Sequence, residues 1–166
     1  MTRFIALAAA VGAVAFPGCE AETGRDDVLN ALVAFARQPS DETWASVPFA
    51  DRVKLGLGDR LLKTRSAQEL RDPAAWKLDV DLFRGGVGPF SALDVLASHE
   101  GPLENREGSY RRCASPSRAP PRRVSRLRRL SIQPREPASC LRWFAVDVFV
   151  DESGDIRAVT LDHWEP

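Results

Sequence analysis

The chain has 166 residues, of which 44% are hydrophobic and 28% are charged. This composition suits one soluble domain with a hydrophobic core and excludes a chain too polar to fold. The 23 basic and 23 acidic residues give a formal net charge of zero. The charge is unevenly spread, because residues 106–135 contain ten arginines and one glutamate, a net charge of +9.

Residues 1–18 have the pattern of a bacterial export signal. Arg3 supplies a positive charge, and an apolar or small run of 13 residues follows from Phe4 to Phe16. As a helix this run would span about 20 Å, less than the roughly 30 Å of a bilayer's hydrocarbon core. The pattern therefore predicts an export signal rather than a permanent transmembrane helix.

Two processing routes fit the end of this signal. Ala13-Val14-Ala15 is an A-x-A cleavage site, which would release a soluble secreted protein. Phe16-Pro17-Gly18-Cys19 resembles a bacterial lipobox, in which a small residue precedes a cysteine that receives lipid. Its Phe16 and Pro17 depart from the aliphatic and small residues of that pattern. On the second route, acyl chains on Cys19 would anchor the protein to a membrane.

The cysteine count favours the lipoprotein route. The chain has three cysteines, Cys19, Cys113 and Cys140. Lipid on Cys19 leaves Cys113 and Cys140 free to form a disulfide in an oxidising compartment, with two free thiols as the alternative. We therefore predict an exported, periplasmic or outer-envelope lipoprotein, with residues 19–26 as a flexible tether and residues 27–166 as one domain.

The first predicted elements are helical. Asp26 or Asp27 can cap a helix that runs to Arg37, where one stripe of side chains is apolar. Gln38-Pro39 ends this helix because the residue before a proline disfavours helical geometry. Residues 40–44 are predicted to form a short turn or helical piece.

A hairpin and a second helix start are predicted next. Apolar residues alternate in Val53–Leu57, Gly58-Asp59 supplies a turn, and residues 60–63 continue as a second strand. Ser66 and Glu69 have the spacing of a capping box, in which each side chain accepts a hydrogen bond from the other residue's backbone N–H. These patterns predict a small hairpin followed by a helical turn.

The middle of the chain has weaker patterns. Residues 78–82 alternate as in a half-buried strand, and the glycine-rich residues 85–89 indicate a loop. Residues 91–98 fit either a short helix or a strand. Residues 114–123 contain three prolines and predict a loop within the domain. Residues 124–132 are predicted to form a strand.

The C-terminal segment has the clearest strand pattern. Apolar residues dominate Trp143–Val150, Asp151–Asp155 supplies turn residues, and Ile156–Trp164 fits a return strand. Together with the strand at 124–132 these form a three-stranded antiparallel meander. Helices early in the chain and strands late in the chain predict an α+β fold, with the N-terminal helices packed on the C-terminal antiparallel sheet.

Residues Val146–Val159 resemble the closing hairpin of the cystatin-like/NTF2-like superfamily. That resemblance implies N-terminal helices against a curved antiparallel sheet, and the superfamily includes small-molecule isomerases and non-enzymatic binding domains. None of its catalytic positions can be matched to this chain. A non-enzymatic envelope protein that acts by binding is therefore the first expectation, and a small-ligand-binding domain, possibly enzymatic, is the alternative. A pocket lined by Asp147 would favour the alternative, and a filled core would favour the first.

No residue pattern predicts catalysis, a metal or a cofactor. The only histidines, His99 and His163, lie near acids, but the sequence shows no nucleophile with which they converge. We expect both to be surface or loop residues. Cys113 and Cys140 lack the histidine spacing of a zinc site, and Gly85–Gly88 lacks the strand and helix context of a dinucleotide site.

The arginine-rich stretch is the one electrostatic candidate for binding. Its proposed anion-binding residues are Arg122, Arg123, Arg126, Arg128 and Arg129. Such a cluster can bind phosphorylated lipid headgroups or another anionic envelope component. The alternative is internal compensation by the acidic segments on both sides. Nucleic acid is a poor partner for an exported protein.

Overall fold

A computed structural model of the protein describes residues 18–79, 89–110, 117–136 and 143–164. Within these ranges the chain forms helices and strands in the order ααββαββββ. Their bounds are α1 Gly18–Arg37, α2 Asp41–Ala45, β1 Phe49–Leu57, β2 Arg60–Ser66, α3 Ala92–Ser98, β3 Leu103–Glu107, β4 Arg128–Pro134, β5 Trp143–Val150 and β6 Ile156–Trp164. Short 3-10 turns lie at Glu69–Arg71, Pro73–Trp76 and Arg122–Val124.

The described strands form one six-stranded sheet in the order β2-β1-β6-β5-β4-β3. Strands β3 to β6 are consecutive antiparallel neighbours, and β1 and β2 form an antiparallel hairpin. The α+β class is thus confirmed. The sheet is mixed rather than wholly antiparallel, because β1 pairs in parallel with β6. This pairing joins the N-terminal hairpin to the free edge of the meander.

The main hydrophobic core lies between the helices and one face of the sheet. Helix α1 buries Leu29, Leu32 and Phe35 completely, at the spacing of one helical face. On β5, alternate residues from Phe144 to Val150 belong to the same core cluster. Trp76 is also buried there, and its indole N–H donates to the Leu70 carbonyl at 3.0 Å. The intervening β5 residues face away from the helices.

Helix α1 begins earlier than the sequence predicted. It starts at Gly18 rather than at Asp26 or Asp27. Residues 19–26, predicted as a flexible tether, are therefore helical. Glu20, Ala21 and Glu22 explain the extension, because they are good helix formers and acids are favoured near a helix N-terminus.

Two local predictions are confirmed, and one open alternative between helix and strand is decided. The β1–β2 hairpin turns at Gly58-Asp59, and Gly58 has the positive φ of +56° that a tight hairpin turn requires. The capping box is present, since the Ser66 N–H donates to the Glu69 carboxylate and the Glu69 N–H donates to Ser66 Oγ. Residues 92–98 are helical, and the hydroxyl of Ser91 caps this helix.

Other boundaries differ. Strand β4 begins at Arg128, because Arg122–Val124 form a 3-10 turn rather than the predicted start of the strand. Strand β3 was not predicted from the sequence. Of the strand predicted at 78–82, Leu78 forms a single bridge with Phe90. Residues 80–82 lie outside the described residues.

Candidate functional site

The face of the sheet opposite the helices carries a buried polar network. At its centre is Asp147 on β5, whose side chain was expected to distinguish a pocket from a filled core. Its Oδ2 accepts a hydrogen bond from Arg129 Nη2 at 2.7 Å, and its Oδ1 accepts one from Ser131 Oγ at 2.5 Å. The side chains of Arg129 and Asp147 are only 11% and 6% exposed. This is therefore a buried ion pair between β4 and β5.

A second carboxylate, Asp162 on β6, belongs to the same network. The hydroxyl of Tyr110 donates to Asp162 Oδ2, and Arg118 Nε lies 3.6 Å from Asp162 Oδ1. The Arg118 backbone N–H donates to the Tyr110 hydroxyl oxygen at 3.1 Å. The Arg129 guanidinium lies 5.1 Å from the centre of the Tyr110 ring, within the range of a cation–π contact. These contacts link the segments around residues 110 and 118 to the sheet.

Burial dominates the electrostatics of this network. Burial raises the pKa of Asp147, while hydrogen bonding and charge from Arg129 and a hydrogen bond from Ser131 oppose the rise. Burial, together with the hydrogen bond to Asp162, also raises the pKa of Tyr110 well above its usual value. Both carboxylates are engaged by groups of the protein itself. The arrangement can fasten Tyr110 and Arg118 to the sheet, and this role explains the network without a substrate.

Part of this network can be predicted from the sequence. Asp147 stood out as an acid within an apolar strand. Asp162 lies two residues beyond Thr160, which pairs with Asp147 in the hairpin register, so both acids share one face. That register could have been read from the hairpin pattern. Tyr110 and Arg118 were missed because they lie on separate segments without a periodic pattern.

The five candidate arginines separate into two groups. Arg128 makes two hydrogen bonds to the Glu107 carboxylate, at 2.8 and 2.9 Å, and Arg129 pairs with Asp147. Arg129 thus fits compensation by a flanking acidic segment, whereas Arg128 is compensated by the one glutamate of the arginine-rich stretch itself. Arg122, Arg123 and Arg126 are exposed, and among the described residues none of them is in an ion pair. Anion binding stays a prediction, and these three residues are the ones available for it.

The two histidines both neighbour Phe144, on the helix-facing side of the sheet. The His99 ring is edge-on to Phe144, with ring centres 5.3 Å apart, and His163 is the register partner of Phe144 on β6. His163 is also edge-on to Phe90 at 6.4 Å. Both histidines are half-buried, and His99 Nε2 is buried without a hydrogen-bond partner in the described part of the chain. His99 thus lies in the loop after α3, as expected, whereas His163 lies on strand β6 rather than in a loop.

Several predicted sites cannot be compared with the structure. Cys113 and Cys140 lie outside the described residues, as does most of the loop Gly85–Pro89. Cys19 lies on α1, of which only the backbone is described at that position. The described ranges hold no group of three or more residues arranged to bind a metal ion. They also contain no helix that is both long enough and apolar enough to cross a bilayer.

Comparison with family models, with curated proteins and with solved structures gave no match for this chain. The described residues define the class of the protein as an α+β domain with a six-stranded mixed sheet. Function must therefore be argued from this chain's own residues.

Proposed function

We propose that this protein is an exported, lipid-anchored domain that acts at the bacterial envelope by binding an anionic surface. The observation that carries the proposal is the position of the unpaired arginines. Arg126 lines the same groove as Gly24 and Val28 of α1, and Arg122 and Arg123 lie in the turn just before Arg126. A membrane that held a lipid at the start of α1 would thus lie near three free positive charges.

The state of the buried acids supports a binding role over a catalytic one. Asp147 and Asp162 are each engaged by a basic group and a hydroxyl group of the protein. A general acid or base must reach the proton of a substrate. The packed apolar core beneath the helices also supports the binding role.

The anchor is tested by expressing the full chain in bacteria and measuring the intact mass of the protein in the membrane fraction. We expect a chain that begins at Cys19 and carries acyl groups, and a Cys19→Ser variant that lacks this mass and leaves the membrane fraction. An unmodified wild-type chain that begins at Phe16 would contradict the anchor.

Surface binding is tested with the Cys19→Ser chain, so that no attached lipid inserts into the bilayer. The vesicles are made of phosphatidylcholine, with and without phosphatidylglycerol. We expect the protein to bind only the anionic vesicles and to dissociate as salt is raised, because a Debye length of about 10 Å at about 0.1 M salt shrinks to about 3 Å at 1 M. Binding that is absent, or that does not respond to salt, would refute the proposal.

A second candidate is the small-ligand-binding domain that the NTF2-like resemblance implies. The observation that favours it is the pair His99 and His163 on Phe144, with a buried imidazole nitrogen that lacks a partner. A ligand that binds there would shift the imidazole NMR signals of both histidines. A small-molecule library that shifts neither signal would count against this candidate.

A further inference from the structure

A groove with an apolar floor lies between the start of α1, the residues that lead into β4 and the β5–β6 turn. We call it the α1–β4 groove. Its volume is about 960 Å³, and residues from all three segments line it, among them Val28, Leu127, Leu130, Val150 and Glu152. We infer that this groove holds an acyl chain of an anionic phospholipid whose phosphate binds Arg126. The inference rests on the proposed function and gives its binding surface a specific ligand.

The floor of the groove suits an acyl chain. Its exposed apolar surface comes from Val28 and Leu127, which are half-buried along its sides, while Leu130 and Val150 lie beneath it and are almost inaccessible to solvent. Contiguous exposed apolar surface on a soluble domain marks a site of interaction with a protein, a ligand or a membrane. The volume is at the upper end of the roughly 300–1,000 Å³ that is typical of ligand sites. A lipid tail is therefore a suitable occupant.

The rim of the groove selects the charge of the headgroup. Arg126 is exposed and unpaired among the described residues, whereas Arg128 is held by Glu107. A guanidinium can donate two parallel hydrogen bonds to a phosphate. On the other wall, Asp151 is neutralised by Arg157 at 2.5 Å. Glu152 is exposed and has no ion pair in the described part of the chain, so it should repel a phosphate toward Arg126.

The position of the groove fits an approach from a membrane. Gly24, at its edge, is five residues from Cys19 along α1. At about 1.5 Å rise per residue this is a distance of roughly 8 Å along the helix axis. A lipid attached to Cys19 would hold the groove close to the bilayer surface from which a phospholipid tail could enter.

The test uses the full chain with Cys19→Ser, so that no attached lipid competes. Isothermal titration compares monomeric dihexanoyl phosphatidylglycerol, dihexanoyl phosphatidylcholine and glycerol phosphate. We expect phosphatidylglycerol to bind more tightly than both others, because only it combines a tail with a net negative headgroup. Equal affinity for glycerol phosphate would overturn the acyl site, and equal affinity for phosphatidylcholine would overturn the role of charge.

Variants locate the site. Arg126→Gln should weaken phosphatidylglycerol binding about tenfold, the loss of one hydrogen bond to a charged group. Arg52→Gln removes the same charge from an exposed position on β1 and should change nothing. Gly24→Trp should abolish binding, because a Cβ at Gly24 meets no atom within 4 Å and the ring can occupy the groove. Unchanged binding in both Arg126→Gln and Gly24→Trp would overturn the inference.

Vesicle binding separates this inference from the proposed function. If the groove fails these tests but the protein still binds anionic vesicles in a salt-sensitive way, only the acyl site is wrong. If the protein binds neither lipid monomers nor anionic vesicles, the proposed function fails as well.

Discussion

Replacing Arg129 with methionine should destabilise the domain more than any exposed arginine substitution. Asp147 would then stay buried with Ser131 as its remaining hydrogen-bond donor. Removing one partner of a buried ion pair costs about 3–5 kcal/mol. We expect the free energy of unfolding to fall by about 3 kcal/mol, the low end of that range. The reason is that Arg129 Nε is already buried without a partner among the described residues, and its removal relieves that cost.

The neighbouring residue provides a matched control. Arg128 makes an ion pair with Glu107 in which the two side chains are 38% and 51% exposed. Exposed pairs contribute about 0–1 kcal/mol. Arg128→Met should therefore lower the free energy of unfolding by less than about 1 kcal/mol. The double variant Arg129→Met/Asp147→Leu should recover most of the lost stability, because an apolar pair can replace a buried ion pair.

The pH dependence gives an independent check. Burial already raises the pKa of Asp147, and without Arg129 the pKa should rise further. When the pKa of a group is higher in the folded protein than in the unfolded chain, the group stabilises the folded protein at pH values below the unfolded pKa. This stabilisation is lost as the pH rises through the folded pKa. The loss in free energy of unfolding caused by Arg129→Met should thus be smaller at about pH 4.5 than at about pH 7.5. Urea unfolding followed by circular dichroism measures this loss at each pH. A deficit equal to that of Arg128→Met, or one independent of pH, would refute the reasoning.

Three further substitutions test the fold by thermal and urea unfolding. Trp76→Ala should cost about 3–5 kcal/mol, since it empties a buried site and leaves the Leu70 carbonyl without its donor; a cost below about 1 kcal/mol would mean that the ring is not packed. Gly56→Ala should cost about 1–3 kcal/mol, because its Cβ would overlap the Arg60 carbonyl oxygen; an unchanged midpoint would contradict that contact. Hydrogen bonding to Ser153 and Arg157 lowers the pKa of Asp151 to about 2. The wild type should therefore lose stability as pH falls from about 4 through about 2, and Asp151→Asn should lose less; parallel pH profiles would exclude this role.

The parts of the fold that the sequence predicted are those with local patterns. The β5–β6 hairpin has strand-forming residues on both sides of a turn-forming segment, and its bounds follow from that pattern. Strand β3, with the sequence Leu-Glu-Asn-Arg-Glu, has no apolar alternation. Among the described strands it lies at the edge of the sheet, and its pairing with β4 supplies the order that its own residues do not indicate. The parallel pairing of β1 with β6 joins segments about a hundred residues apart, and no local pattern reports such a contact.

The candidate site divides in the same way. The sequence alone shows that Asp147 is an acid inside an apolar strand, because the pattern involves only neighbouring residues. The sequence alone does not show that Arg129 neutralises Asp147, because the register of β4 against β5 determines this partner. The histidines show the same limit. His163 lies opposite Phe144 through the hairpin register, but His99 is far away in sequence and reaches Phe144 only through tertiary packing of the residues after α3.

The position at which β4 begins determines which arginines of the arginine-rich segment pair with acids. Arginines on the strand lie beside acids of neighbouring strands, as Arg129 lies beside Asp147, whereas Arg122 and Arg123 lie in a turn that precedes the sheet. We therefore expect anion binding by the turn and internal compensation on the strand. Arg122→Gln/Arg123→Gln should leave the free energy of unfolding within about 0.5 kcal/mol of the wild type. The same variant should weaken binding to anionic vesicles about 30-fold, at roughly 1 kcal/mol per arginine. If vesicle binding instead survives this change and falls only when Arg128 is replaced, the strand rather than the turn contacts the membrane, and this division of the arginines is wrong.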